Sequence, residues 1–183
     1  PLIMLNLLKQ TLLFGLAVAL PLISLMPLEV LAQTGVIPFM QEKISMLPSG
    51  RKVAVTFRER PCKKGECHEA DAGLWGMDGG VPQFVTDVFF VFIDGNKFAI
   101  PEKFYKDLTN IYRLKVSEQE RRIIIEFKGG EAAGAFTARF TLGGMCGFER
   151  EVCGEMCKEI WERTAWYNSF AYEADPQCKS GIQ

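Results

Sequence analysis

Period-two alternation of apolar and polar residues, repeated in short runs along the chain, is the feature that most restricts how this polypeptide can fold. Ile123, Ile125 and Phe127 fall on one side of their run while Arg122, Glu126 and Lys128 fall on the other. Successive side chains point to opposite faces of a strand, so such a run buries one face and wets the other. Phe136, Ala138, Phe140 and Leu142 repeat the pattern, as do Val53, Val55 and Phe57 against Arg58 and Arg60. Strands are predicted at 51–60, 84–93, 97–100, 111–116, 121–128 and 135–142. Turn signals separate them: Asp94-Gly95-Asn96 for a tight hairpin, Ser117 to Glu120, and Gly129-Gly130-Glu131. The run Val88 to Ile93 leaves neither face polar and is expected to be buried on both sides. Consecutive antiparallel hairpins of this kind make an all-β, mainly antiparallel domain, a sandwich or barrel with one or two short helices.

Two segments invite a helical reading. Pro38 suits the first turn of a short helix ending at Leu47 before Pro48, and Pro101 opens another through Leu108, with Phe104 and Leu108 on one face. Farther on, Val152/Cys153, Met156/Cys157 and Ile160/Trp161 recur every four residues, as on a helix. Gly154 weakens that helix, and Trp166, Phe170 and Tyr172 alternate as strands do. The expectation is therefore a strand at 148–153, a turn, and a final strand at 163–172.

The first 32 residues differ in kind. Between Lys9 and Glu29 no charge interrupts the apolar run, Pro21 and Pro27 break it, and Val30-Leu31-Ala32 offers small residues at a cleavage position. This reads as a signal peptide at 1–32, followed by a lead-in segment at 33–50 and a β-rich globular domain at 51–183. An uncleaved anchor is the rival reading. After cleavage no stable membrane insertion is expected, and the localisation is secreted or periplasmic.

All six cysteines, Cys62, Cys67, Cys146, Cys153, Cys157 and Cys178, follow that segment, an even number in a compartment where thiols oxidise. Loop geometry favours Cys62 with Cys67, Cys153 with Cys157, and Cys146 with Cys178. The whole chain carries 21 basic and 22 acidic residues, so long-range electrostatics select no partner, and nucleic acid is not expected.

Residues 68–83 are polar and glycine-rich, and a long loop in a small domain is the first place to seek a contact surface. Leu74, Trp75, Met77 and Asp78 are its candidate residues. Trp75 either meets a partner or folds back as a plug. His68, the chain's single histidine, follows Cys67 directly. Cys62-Lys-Lys-Gly-Glu-Cys67-His68 resembles a lengthened form of the haem-attachment motif of c-type cytochromes. The resemblance implies thioethers at Cys62 and Cys67, iron ligation by His68, and Met77 as a second axial ligand.

Other chemistry is weakly signalled. The cysteine spacings match no closed zinc site, and Asp71 and Asp78 lack the ligand pattern of a calcium loop. No Gly-x-Ser-x-Gly elbow or phosphate-cradling loop occurs. Paired carboxylates could serve a secreted hydrolase, but spacing does not select two. The expectation is a domain that acts by binding an unidentified protein or small-molecule ligand, without cofactor or metal.

Overall fold

A computed structural model describes residues 38–67, 73–143 and 146–169, together with Glu173. The expected signal peptide, His68, Asp71, Cys178, Phe170 and Tyr172 lie outside the described residues. Nine strands form two antiparallel sheets, each a simple meander. The first contains β1 (Met40–Met46), β2 (Lys52–Pro61), β3 (Phe84–Ile93) and β4 (Asn96–Phe98). The second contains β5 (Ile111–Gln119), β6 (Arg122–Gly129), β7 (Phe136–Leu142), β8 (Gly147–Gly154) and β9 (Ile160–Tyr167). Both sheets keep sequence order because consecutive strands pair antiparallel, through tight turns after β3 and β5 and through the long 62–83 connection between β2 and β3.

The alternation sets which faces meet. Phe57 of β2 and Phe89 of β3 point inward against Phe127 of β6 and Phe140 of β7. Ring centroids lie 4.5 Å apart for Phe57–Phe127, 5.0 Å for Phe89–Phe127 and 5.2 Å for Phe89–Phe140. The Phe89 contacts are edge-to-face, the geometry the ring quadrupole favours. Val53, Val55, Val91, Ile123, Ile125, Ala138 and Leu142 complete a buried core shared by the two sheets.

The Asp94-Gly95 turn forms as expected, with positive φ at both residues (51° and 86°). The β5–β6 hairpin is tighter than the sequence suggests. β5 continues through Gln119, and the turn is Glu120-Arg121, both left-handed at φ 50° and 64°. A two-residue turn of that hand matches strand twist well enough to hold non-glycine residues there.

Four expectations are corrected. Residues 40–46 form strand β1, registered on β2 from Met40↔Arg58 to Met46↔Lys52, in place of a helix from Pro38 to Leu47. Pairing with β2 satisfies this segment's backbone, and sheet context overrides the helical preference. The helix expected at 101–108 shrinks to a single 3₁₀ turn, Glu102–Phe104, although Phe104 and Leu108 are both buried. Strand β3 is buried on one face only, with Phe90 40% and Phe92 37% exposed. An apolar run reads the same whichever face is covered. In the C-terminal part the strands prevail over the helix, but β9 begins at Ile160, across a register shift beside Cys153.

Two disulfides are formed among the described residues, Cys62–Cys67 and Cys153–Cys157, with Cα atoms 6.3 Å and 4.9 Å apart. Cys146 is also disulfide-bonded. Such bonds persist in oxidising compartments. Among the described residues no helix is long and apolar enough to cross a membrane.

Candidate functional site

The segment from Gly73 to Gly80 is bound to the connection between the two sheets. Trp75 donates its backbone N–H to Asp107 O (2.7 Å), and Thr109 returns an N–H to Trp75 O (2.9 Å), which makes a short parallel bridge at Leu108. Thr109 Oγ1 also donates to Trp75 O, and Asn110 Nδ2 donates to Gly76 O, each at 2.9 Å. Gly76 is required for this approach. Its φ is +101°, and a Cβ there would collide with Thr109 O and meet Phe136 Cε1 at 2.9 Å. A second close approach lies at Gly134, whose hydrogen side faces the backbone of Met77 and Asp78.

This geometry answers what becomes of the four candidate residues. Leu74, Trp75 and Met77 are half-buried, while Asp78 is exposed. Met77 Sδ receives Asn110 Nδ2 at 3.4 Å. Trp75 packs against the core and also stacks on Trp161 of β9, with centroids 5.8 Å apart and planes 17° from parallel. Trp161 is 49% exposed and rests beside Gly154, where a Cβ would lie 3.0 Å from Trp161 Cζ2. The structure thus brings Trp75 together with an aromatic that the sequence presents only as part of a four-residue recurrence. The register shift at Cys153 that delivers Trp161 to this place is not visible in residue spacing.

Joined to Trp75 through Asp107 is a charged cluster that the sequence reading does not select. Arg150 of β8 points into the core face of its sheet, because it pairs across to Phe140 and Thr164 and shares their side. Its side chain is only 2% exposed. Nη1 donates to Phe104 O and Asp107 Oδ1, both at 3.1 Å, and Nη2 donates to Asp107 Oδ2 at 2.5 Å. Glu162 Oε2 lies 3.5 Å from the same Nη2. Nε is buried and makes no hydrogen bond. Burial pushes the Asp107 carboxyl above its ordinary range, and the Arg150 guanidinium opposes that rise. Bidentate pairing with Arg150 makes Asp107 a counter-ion that anchors residues 101–110, and with them Trp75, to β8.

A second buried acid secures the opposite end of that connection. Glu59 is 3% exposed and accepts the Ile111 N–H at 3.0 Å. Burial raises its pKa, partly offset by backbone N–H donors at Ile111, Phe39 and Asn110. It sits where a bulge interrupts the β2–β3 register.

The residues of the cytochrome-like motif do not fit haem attachment in this structure. Cys62 and Cys67 are joined to each other, so neither sulfur is available for a thioether, and Met77 Sδ is engaged by Asn110. The turn between the two cysteines is organised by Glu66, which receives Arg60 and the Lys63 N–H. These contacts pull the Glu66 carboxyl down to about 2. Among the described residues no group of three His, Cys, Asp or Glu side chains could hold a metal ion.

Outside this cluster, a shallow depression of about 400 Å³ lies on the outer face of the five-stranded sheet, between Glu126, Lys128, Arg139 and the Cys153–Cys157 turn. Its charges are largely satisfied internally, with Arg139 on Glu126 at 3.3 Å and Lys128 Nζ on Glu155 O at 3.4 Å. Comparison with protein families, with characterised proteins and with solved structures finds no match to this chain.

Proposed function

We propose that this chain is an exported binding module, secreted or periplasmic, whose contact surface is the paired indoles of Trp75 and Trp161. The observation that carries the reading is the near-parallel stack itself, half-exposed at Trp161. A large aromatic held rigid at the surface binds with little loss of side-chain freedom, the property that makes Trp an effective anchor. The support beneath it is unusually complete for a loop, since backbone bonds to Asp107 and Thr109 and the Arg150 pair all hold Trp75 in position. The disulfides agree with an oxidising destination. The complementary ligand presents a flat apolar face, either a sugar ring or a planar side chain, and Leu74, Met77 and Asp78 border it.

The test is tryptophan fluorescence titration against soluble oligosaccharides and aromatic peptides, repeated with Trp161→Ala. Binding that saturates in the parent and falls at least tenfold in the variant, with thermal stability kept, supports the reading. Binding that is indifferent to Trp161→Ala overturns it. So does substrate turnover that disappears in Glu162→Gln, because Asp107 and Glu162 would then be an acid pair rather than a support.

A further inference from the structure

The two sheets differ in their outer faces. The five-stranded sheet carries a ladder of alternating charge, Lys115–Glu126–Arg139–Glu151–Arg163, one residue per strand. The four-stranded sheet is apolar where the other is charged. In register, one row across it reads Ile44–Ala54–Phe92–Lys97 and the next reads Glu42–Thr56–Phe90. Ile44 is 68% exposed and Met46 67%, on the same face as the part-exposed rings of Phe92 and of Phe90. A contiguous apolar face of this kind on a folded domain marks an interaction surface.

From this face we propose that two copies of the chain associate, four-stranded sheet against four-stranded sheet, about a two-fold axis parallel to the strands. Relief and charge both carry the choice of partner. Phe90 and Phe92 form a ridge on β3, and Ala54 and Thr56 form a low trench on the adjacent β2. A two-fold axis between those strands sets β3 of each copy over β2 of the other, ridge into trench. The same operation sets β1 opposite β4. Glu42 on β1, Lys52 on β2 and Lys97 on β4 make no ion pair among the described residues, Lys97 lying 4.4 Å over the Phe90 ring, whereas Arg58 on this face is matched by Asp87 at 2.5 Å. The rows of Glu42 and Lys97 are two residues apart, about 7 Å along the strand, a distance that a lysine side chain spans. Glu42 of each copy thereby meets Lys97 of the other, twice per dimer, as an isologous contact requires. A lipid surface would leave Glu42 unmatched, and the basic residues of this face, Lys52, Lys97 and the Asp87-paired Arg58, fall short of the cluster of four or more that marks attraction to anionic lipid.

The face measures about 20 by 25 Å, on the order of 500 Å² in projection, near the low end of what one partner contributes to a specific interface. The dimer is therefore weak and concentration-dependent. Sedimentation velocity of the disulfide-bonded chain over two decades of concentration should show a monomer–dimer equilibrium. Phe90→Asp with Phe92→Asp should leave a folded monomer throughout. Glu42→Lys and Lys97→Glu should each weaken association by about tenfold, since a single change spoils two contacts and sets like charges opposite. The reciprocal Glu42→Lys, Lys97→Glu pair should restore it. These exposed charge variants keep the test decisive even if the double Phe change impairs folding. A parent that stays monomeric, a reciprocal pair that fails to restore association, or vesicle binding by a monomer that the Phe changes abolish would overturn the proposal.

Discussion

Replacing Asp107 with alanine isolates the interaction on which the indole pair rests. Arg150 would keep Phe104 O on Nη1 and Glu162 at 3.5 Å, but would lose both oxygens of its main counter-ion. Removing one partner of a buried pair typically costs about 3 to 5 kcal/mol, because a charge is left buried without its match. Asp107 is 24% exposed, and Glu162 offers partial compensation, so roughly 2 to 4 kcal/mol is expected here. The matched experiment is Arg150→Met with Asp107→Leu, which removes both charges and keeps volume. That double variant should lie within about 1 kcal/mol of the parent, since apolar replacements of buried pairs are often neutral. Urea unfolding followed by fluorescence, with disulfides intact and the denaturant slope unchanged, supplies both values. In Asp107→Ala the Trp75 amide should also exchange faster, because residues 101–110 carry its hydrogen-bond acceptor. A single variant as stable as the parent would refute the claim that Arg150 is desolvated and held by Asp107.

Gly76→Ala should destabilise the fold by about 2 kcal/mol or more and free the Trp75 loop, read by urea unfolding together with acrylamide quenching, because φ is +101° and the new methyl meets Thr109 O. The Glu66 carboxyl should titrate near 2 by NMR and return toward 4.5 in Arg60→Gln. Its folded value is depressed, so its stabilising contribution is complete above 4.5 and is lost as pH falls through 2.

Much of the architecture was legible without coordinates. Alternation at Ile123–Phe127 and Phe136–Leu142 identified strands and their inward faces, because a sheet buried on one side imposes period two directly on residue choice. The Cys62–Cys67 and Cys153–Cys157 pairings followed from short loops. Where the sequence was silent or misleading, the deciding interactions were nonlocal. Nothing local in the β1 sequence, Met-Gln-Glu-Lys-Ile-Ser-Met, distinguishes an edge strand from a short helix; partnership with β2 decides it. Phe90 and Phe92 look like core residues in a row of apolar neighbours, yet the five-stranded sheet covers only the other side of β3.

The candidate site divides in the same way. Trp75 is conspicuous as a large ring in a glycine-rich loop, but its surroundings along the chain do not choose between plug and contact. What covers it is Trp161, carried there by a register shift at Cys153, and what supports it is Arg150, which alternation places on one face with Phe148 and Val152 but whose partner Asp107, 43 positions away, no pattern along β8 announces. Sequence by itself determined the strand periodicity, the Asp94-Gly95 turn and two cysteine pairings, since each depends on neighbours a few residues away. Only the tertiary structure decided which apolar faces are covered, which indoles stack and which buried charges meet. Those outcomes depend on contacts between residues tens of positions apart, and local periodicity carries no record of them.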